Sequence, residues 1–243
     1  MTAMPKLLFL SLRTGGIGPA VAHAEYHDVL RATGLDEVDV ELRIIDSPGA
    51  ELGPLDPICG IIVGGCSLNV SSPERSAWHM RIDDILSAAV ASGKPVFFVC
   101  FGISWLVDHL GGEVGRTHPE PSGPTTVEVV EDDVLAGASG TFTALTGHTE
   151  NPVAVPDSLA VVASGPDGLV QVVRYGDRVW AAQFHAEMDA AAMRTRMDFF
   201  HDYGYFPADE YARIVADLPN HDVSRANALL RDFARLCLDG YFD

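Results

Sequence analysis

The chain has only four cysteines in 243 residues, Cys59, Cys66, Cys100 and Cys237. They show neither C-x-x-C spacing nor the density of a disulfide scaffold, so a reducing cytoplasm is the expected compartment. Basic residues are scarce as well: 16 Lys and Arg against 34 Asp and Glu leave a net charge of −18. Without a positive face, nucleic acid and anionic membrane surfaces are excluded as partners. No apolar run approaches the ~20 residues that cross a bilayer. The opening MTAMPKLLFLSL, with one lysine and a run broken by Arg13 and Gly15, reads as a first strand rather than a signal peptide. His23, His27, His79, His109 and His118 are scattered with no H-E-x-x-H framework, so no metal site and no cofactor is expected. There is also no internal repeat, low-complexity tract or linker, and no G-x-x-x-x-G-K-[ST] for ATP phosphates. One domain over residues 1–243 follows.

What is present is an alternation of apolar runs and helical spacing. Lys6 to Leu12 reads as a buried strand, and Pro19 to Thr33 as a helix carrying Val21, Tyr26, Val29 and Leu30 on one face. Val38 to Ile45 and Gly60 to Val63 read as further strands, Glu74 to Ala91 as a helix, and Pro95 to Val99 as a strand ending at Cys100. Such alternation predicts a mainly parallel sheet with helices on both faces and a site at the carboxyl ends of its strands. Beyond a helix starting near Gly102, HPEPSGP (His118 to Pro124) is loop-like, while Thr125 to Glu131 and Thr141 to Leu145 suggest antiparallel strands. Leu169 to Arg174 and Arg178 to Phe184 flank Tyr175, Gly176 and Asp177, a hairpin turn. The segment from about 189 to 243 reads as a helical extension, with Asp222 or Ser224 capping its last helix. Glu131 to Asp133 is most simply a solvated acidic turn.

Two strand ends carry the chemistry. In KPVFFVCFG, Cys100 sits where an apolar strand turns into a helix, an elbow that exposes a thiol and lets helix N-terminal amides favour its thiolate. In AAQFHAEMD, His185 and Glu187 follow another apolar strand. Alternate side chains of an extended segment share a face, so the carboxylate can orient the imidazole while Ala186 points away. Alone, a cysteine is commonly a small buried hydrophobe and a histidine a satisfied core residue. Together, Cys100, His185 and Glu187 form the parts of a nucleophile, its base and the base's orienting acid, which points to acyl transfer. Gly64 and Gly65 end a third strand, where they permit a tight turn or the approach of a substrate carbonyl. The backbone N–H groups of Gly65 and Phe101 are the candidate oxyanion donors. Cys66 has no base near it in sequence and is read as structural. In GHTEN, His148 and Glu150 are candidates for substrate contact, or the segment is a plain turn.

The succession GGCSLNV, VCFG and QFHAE resembles the class I glutamine amidotransferase family, over about the first 190 residues, and within it the amidotransferase part of GMP synthase. The resemblance implies a flavodoxin-like three-layer α/β sandwich and a Cys100–His185–Glu187 triad with the Gly65 and Phe101 oxyanion hole. It also implies glutamine amide hydrolysis through a γ-glutamyl thioester with release of ammonia. Two positions depart from the family pattern. The elbow C-x-G-x-Q ends here in Ser104, where the family's glutamine helps hold the substrate's amino-acid end, and F-H-P-E becomes Phe184, His185, Ala186 and Glu187. The substrate expected is therefore glutamine or another γ-glutamyl amide or peptide. Ammonia would pass to a separate synthase partner. The alternatives are a γ-glutamyl peptidase acting without a synthase, or a catalytically silent regulatory or partner-binding domain.

Overall fold

The computed structural model describes residues 4–201 and 206–242. The apolar runs form strands β1 (Lys6–Ser11), β2 (Val40–Ile44), β3 (Ile58–Val63) and β4 (Val96–Val99). Their side chains alternate between two cores. Leu7, Phe9, Phe97 and Val99 enter one, and Leu8, Leu10, Val96 and Phe98 the other. A strand buried on both faces must be apolar throughout, which is why these segments read as unbroken runs rather than as alternating patterns. Helices α1 (Gly18–Thr33), α2 (Ala77–Ala91) and α3 (Phe101–His109) follow β1, β3 and β4 in turn. The first lies over one core, and the other two over the second.

The second half supplies β5 (Glu113–Gly115), β6 (Glu120–Val129), β7 (Gly140–His148), β8 (Asn151–Ala154), β9 (Leu159–Ser164), β10 (Val170–Tyr175) and β11 (Val179–Ala182). Nine strands make one sheet in the order β2-β1-β3-β4-β11-β10-β9-β6-β7, while β5 and β8 pair separately. From β2 to β11 the pairings are parallel, and from β10 outward antiparallel. The expected hairpin joins β10 to β11 with Tyr175 opposite Val179, and Gly176 takes a φ of 59° in its turn. That hairpin inserts β11 beside β4, with Ala182 opposite Val99, so two strand ends emerge side by side.

Several expectations are corrected. The helix α2 starts at Ala77, because the Ser76 side chain accepts the His79 N–H at 3.1 Å as an N-cap. Glu120–Pro124 belongs to β6, whose register against β7 shifts between Glu120 and Gly123, so its Pro/Gly content marks a bulge rather than a loop. Asp133 is not solvated. Its carboxylate is buried and accepts from Trp180 Nε1 at 3.1 Å and Arg174 Nε at 3.0 Å, tying the loop after β6 to the hairpin. Part of the expected helical extension, residues 202–205, lies outside the described residues. The rest forms α4 (Ala190–Phe199), α5 (Tyr211–Asp217) and α6 (Ser224–Leu238), with Asp222 Oδ1 accepting the Ser224 N–H at 2.9 Å.

Helix α6 is a layer of the sandwich rather than an appendage. It packs beside α1, and its Leu229, Leu230 and Phe233 complete the core that holds Leu7, Phe9 and Phe97. At Gly60 of β3 the approach is so close that a Cβ would lie 2.4 Å from Cys237 Sγ. Among the described residues no helix is long and apolar enough to cross a membrane. The Gly60→Ala change is expected to cost about 1–3 kcal/mol by overpacking. Adding Cys237→Ala should recover much of that loss, which thermal unfolding of the single and double variants measures.

Candidate active site

Cys100 stands between β4 and α3 with φ 52° and ψ −98°, one of two non-glycine residues at positive φ among the described residues. A conformation of this kind costs on the order of 1–3 kcal/mol and persists only where the surroundings over-determine it. Here they do. The Cys100 N–H donates to Ala182 O of β11 at 2.8 Å, and the Ile103 N–H donates to Cys100 O at 3.1 Å. Gly102 admits the turn, since a Cβ there would lie 2.4 Å from Phe98 Cβ. The elbow aims the thiol off the sheet edge toward Gly147 O, 4.0 Å from Sγ. As the first residue of α3, Phe101 has an N–H with no partner inside the helix.

The partner strand end follows β11. The His185 N–H donates to Leu145 O at 2.8 Å, which fixes the backbone, and His185 Nδ1 lies 2.7 Å from Glu187 Oε1. With Nδ1 held by the carboxylate, Nε2 is the nitrogen left to face the thiol. Burial alone would lower the imidazole's pKa. The Glu187 carboxylate and Cys100 outweigh it and raise the value to about 10, so the ring holds its proton at neutral pH. Gly65 sits against both: a Cβ there would come within 3.3 Å of His185 Cε1 and 3.6 Å of Cys100 Cβ. The chain thus brings together all five of Cys100, His185, Glu187, Gly65 and Phe101.

The substrate-side candidates divide. Ser104 is buried on α3 and lines a cavity beside the thiol with Asn69, His148, Glu150 and Gln183. Glu150, however, is spent on structure: its carboxylate accepts the Val70 N–H at 2.7 Å and the Ser71 N–H at 3.0 Å, tying down the loop after β3. His148 Nε2 is 2.9 Å from Glu120 Oε2. Glu120 also accepts from Thr125, Thr146 and Gln171. Burial raises the Glu120 pKa, but the hydrogen bonds from His148, Thr125 and Gln171 win and hold it below the usual carboxylate range. The remaining His148 nitrogen, Nδ1, and Gln183 Oε1 are buried without hydrogen-bond partners. Cys66 also lines the site, and burial pushes its thiol up to about 11, so it stays protonated.

Sequence reasoning missed four parts of this neighbourhood. Asn227, on α6, donates Nδ2 to Ala186 O at 2.8 Å and to Met188 O at 3.0 Å, bracing the His–Ala–Glu segment where the family pattern has proline. Arg13, just past β1, and Arg196 of α4 both pair with the buried Glu25, at 2.5 and 2.8 Å. Burial works against the charged carboxylate, yet the two guanidinium groups keep the Glu25 pKa lowered. Beside it, burial outweighs Arg196 and Arg31 and pushes the Asp28 carboxyl up to about 6. Finally, Glu120 sat in the segment read as loop, and the methionines of α4 sat in a segment read only as helix. Arg13 alone had a usable signal, its place at the carboxyl end of a parallel strand.

With that geometry in hand, comparison with known proteins is informative. The family model "Glutamine amidotransferase class-I" matches residues 27–201, most of the chain. The chain belongs to the class I glutamine amidotransferase family, a family of enzymes. Among curated relatives it is 30% identical over 135 residues to the GMP synthase [glutamine-hydrolyzing] of Aeropyrum pernix, covering 55% of this chain and 26% of that protein. With the protein of the same name from Mycobacterium leprae it shares 31% over 169 residues, 68% of this chain and 30% of the relative. The chain therefore spans about a fifth to a third of the curated relatives it matches. A glutamine amidotransferase structure from Thermotoga maritima superposes with a TM-score of 0.75 at 18% identity, over 96% of this chain and 98% of that one. At that identity the likeness speaks for the fold, which is the flavodoxin-like sandwich expected.

Two outcomes check the site's geometry. In a pH titration by NMR, the His185 imidazole should remain protonated well above its ordinary pKa of ~6.5. Glu187→Gln should bring the titration down by more than a pH unit, because the raising charge is gone. Asn227→Ala should leave two buried carbonyls unpaired, at about 1–3 kcal/mol of stability, measured by chemical denaturation.

Proposed function

We propose that this chain hydrolyses a γ-glutamyl amide by thiol catalysis, with Cys100 as nucleophile, His185 as the acid–base group that takes the thiol's proton, gives it to the leaving nitrogen and then takes one from water, and Glu187 as its orienter. The observation that carries this reading is the junction of β4 with β11. It sets a strained thiol against an imidazole whose other nitrogen is 2.7 Å from a buried carboxylate. The Cys100 thiolate attacks the γ-carbonyl carbon, forming a C–S bond, while the Gly65 and Phe101 N–H groups receive the oxyanion. Collapse breaks the C–N bond as His185 delivers its proton to the departing nitrogen. Water then gives a proton to His185 and attacks the thioester. Breaking the C–S bond releases glutamate and restores the thiolate.

The acyl half of the substrate carries an α-ammonium and an α-carboxylate, and the polar cavity along Ser104 suits it. The buried His148 Nδ1 and Gln183 Oε1 lack partners there and are placed to replace the grip of the family's elbow glutamine. Ser104 completes the wall, and Glu150 acts by holding the loop rather than by touching substrate. Where glutamine is the substrate, the ammonia goes to a synthase, as the GMP synthase names of the relatives suggest. A second reading, γ-glutamyl amide or peptide cleavage without a synthase, is favoured by serine in the place of that glutamine.

Cys100→Ala is expected to fold normally and to lose at least ~10³-fold in product release, whether ammonia from glutamine or an amine from γ-glutamyl amides is followed. A folded Ala variant with undiminished turnover would remove the mechanism.

A further inference from the structure

Two cavities meet at the thiol, and they differ in kind. Both are lined by Cys66, Cys100 and Gly147. The polar one runs along Ser104, His148 and Gln183, on the side assigned above to the acyl half. The other, a narrow cleft of about 50 Å³, contains His185 and is walled by Met188, Met193, Met197, Phe200 and Phe206. Histidine position distinguishes them mechanistically. The group that protonates the departing nitrogen must face it, so the leaving amine lies on His185's side, in the methionine-walled cleft.

For ammonia such a wall has no use. A leaving group of one nitrogen buries no carbon, whereas five apolar side chains around the exit reward carbon, and flexible thioethers adapt to its shape. Two arginines also line this cleft. Arg13 and Arg196 share the Glu25 carboxylate, Arg196 also lies 3.8 Å from Asp28 Oδ2, and the Arg13 guanidinium stacks 5.5 Å from the Phe200 ring centre. Both guanidinium groups are paired to carboxylates, and Arg196 Nη2 is buried with no hydrogen-bond partner; the wall that a substituent on the nitrogen would touch is still the five apolar side chains.

We infer that the cleft walled by Met188, Met193 and Met197 is a leaving-group subsite, and that the chain acts on γ-glutamyl amides of apolar primary amines in preference to glutamine. This rests on the thiol mechanism proposed above and specifies its substrate class. The balance is that of the same hydrolysis: the C–N bond breaks, the amine departs with the proton from His185, and water supplies the hydroxyl of glutamate.

The test is kcat/KM for glutamine and for the γ-glutamyl methyl, propyl and pentyl amides with the full chain, following release of glutamate. The expected result is a rise of roughly threefold or more per added methylene. The ratio of pentylamide to glutamine should fall by about tenfold in Met193→Phe, which fills the cleft with an apolar ring, and should hold in Met193→Leu. A flat or falling series with glutamine readily hydrolysed would overturn the subsite and leave the thiol mechanism standing. Absence of glutamate release from every compound would overturn both. Should Met193→Phe fail to fold by thermal unfolding, the wild-type series alone decides.

Discussion

The backbone of Cys100 is the constraint on which the rest depends. A β-carbon at φ 52° and ψ −98° is held there by what surrounds it. The Ala182 carbonyl fixes its N–H from β11, the α3 turn fixes its carbonyl, and bare Gly102 lets Phe98 come close. Each of these needs the parallel sheet. The β10–β11 hairpin must place β11 next to β4, and a doubly covered sheet must keep both strands rigid. The strain is thus located where two strands buried on both faces can carry it, and it presents sulfur at the edge.

From that elbow the electrostatics follow. The α3 N-terminus and an imidazole held in its charged form are the positive groups set beside the sulfur. The imidazole is charged because Glu187, two residues on, is buried with it at 2.7 Å. Helix α6 then reaches across from the opposite end of the sequence, and Asn227 braces the two carbonyls that flank Glu187. What reads as a C-terminal tail is a structural support of the His185–Glu187 segment. The neighbouring buried cluster of Arg13, Glu25 and Arg196 similarly ties the end of β1 to α1 and α4, and both arginines line the second cavity.

Much of this was legible in the residues. Runs such as KLLFLS and VFFV are apolar on both faces, as strands of a covered parallel sheet are, and the carboxyl ends of such runs held Cys100, Gly65 and His185. The spacing of His185 and Glu187 placed both on one face. What was not legible depended on partners distant in sequence. Asp133 reads as solvated until Trp180 and Arg174 are seen to enclose it. Glu120 sits in a Pro/Gly-rich stretch whose bulged strand pairing no local pattern announces. Glu150 resembles a ligand contact until the Val70 and Ser71 amides are found on it. Asn227 and the α4 methionines lie on helices whose facing partners only the tertiary packing reveals.

The central claim is that Cys100 forms a thioester with the γ-carbonyl of its substrate, and intact-protein mass spectrometry after rapid acid quench tests it most directly. During turnover of a γ-glutamyl amide, the account predicts a mass increment equal to one γ-glutamyl group, mapped to the peptide containing Cys100 and lost in Cys100→Ala. Turnover without any such adduct, or an adduct mapped to Cys66, would contradict it.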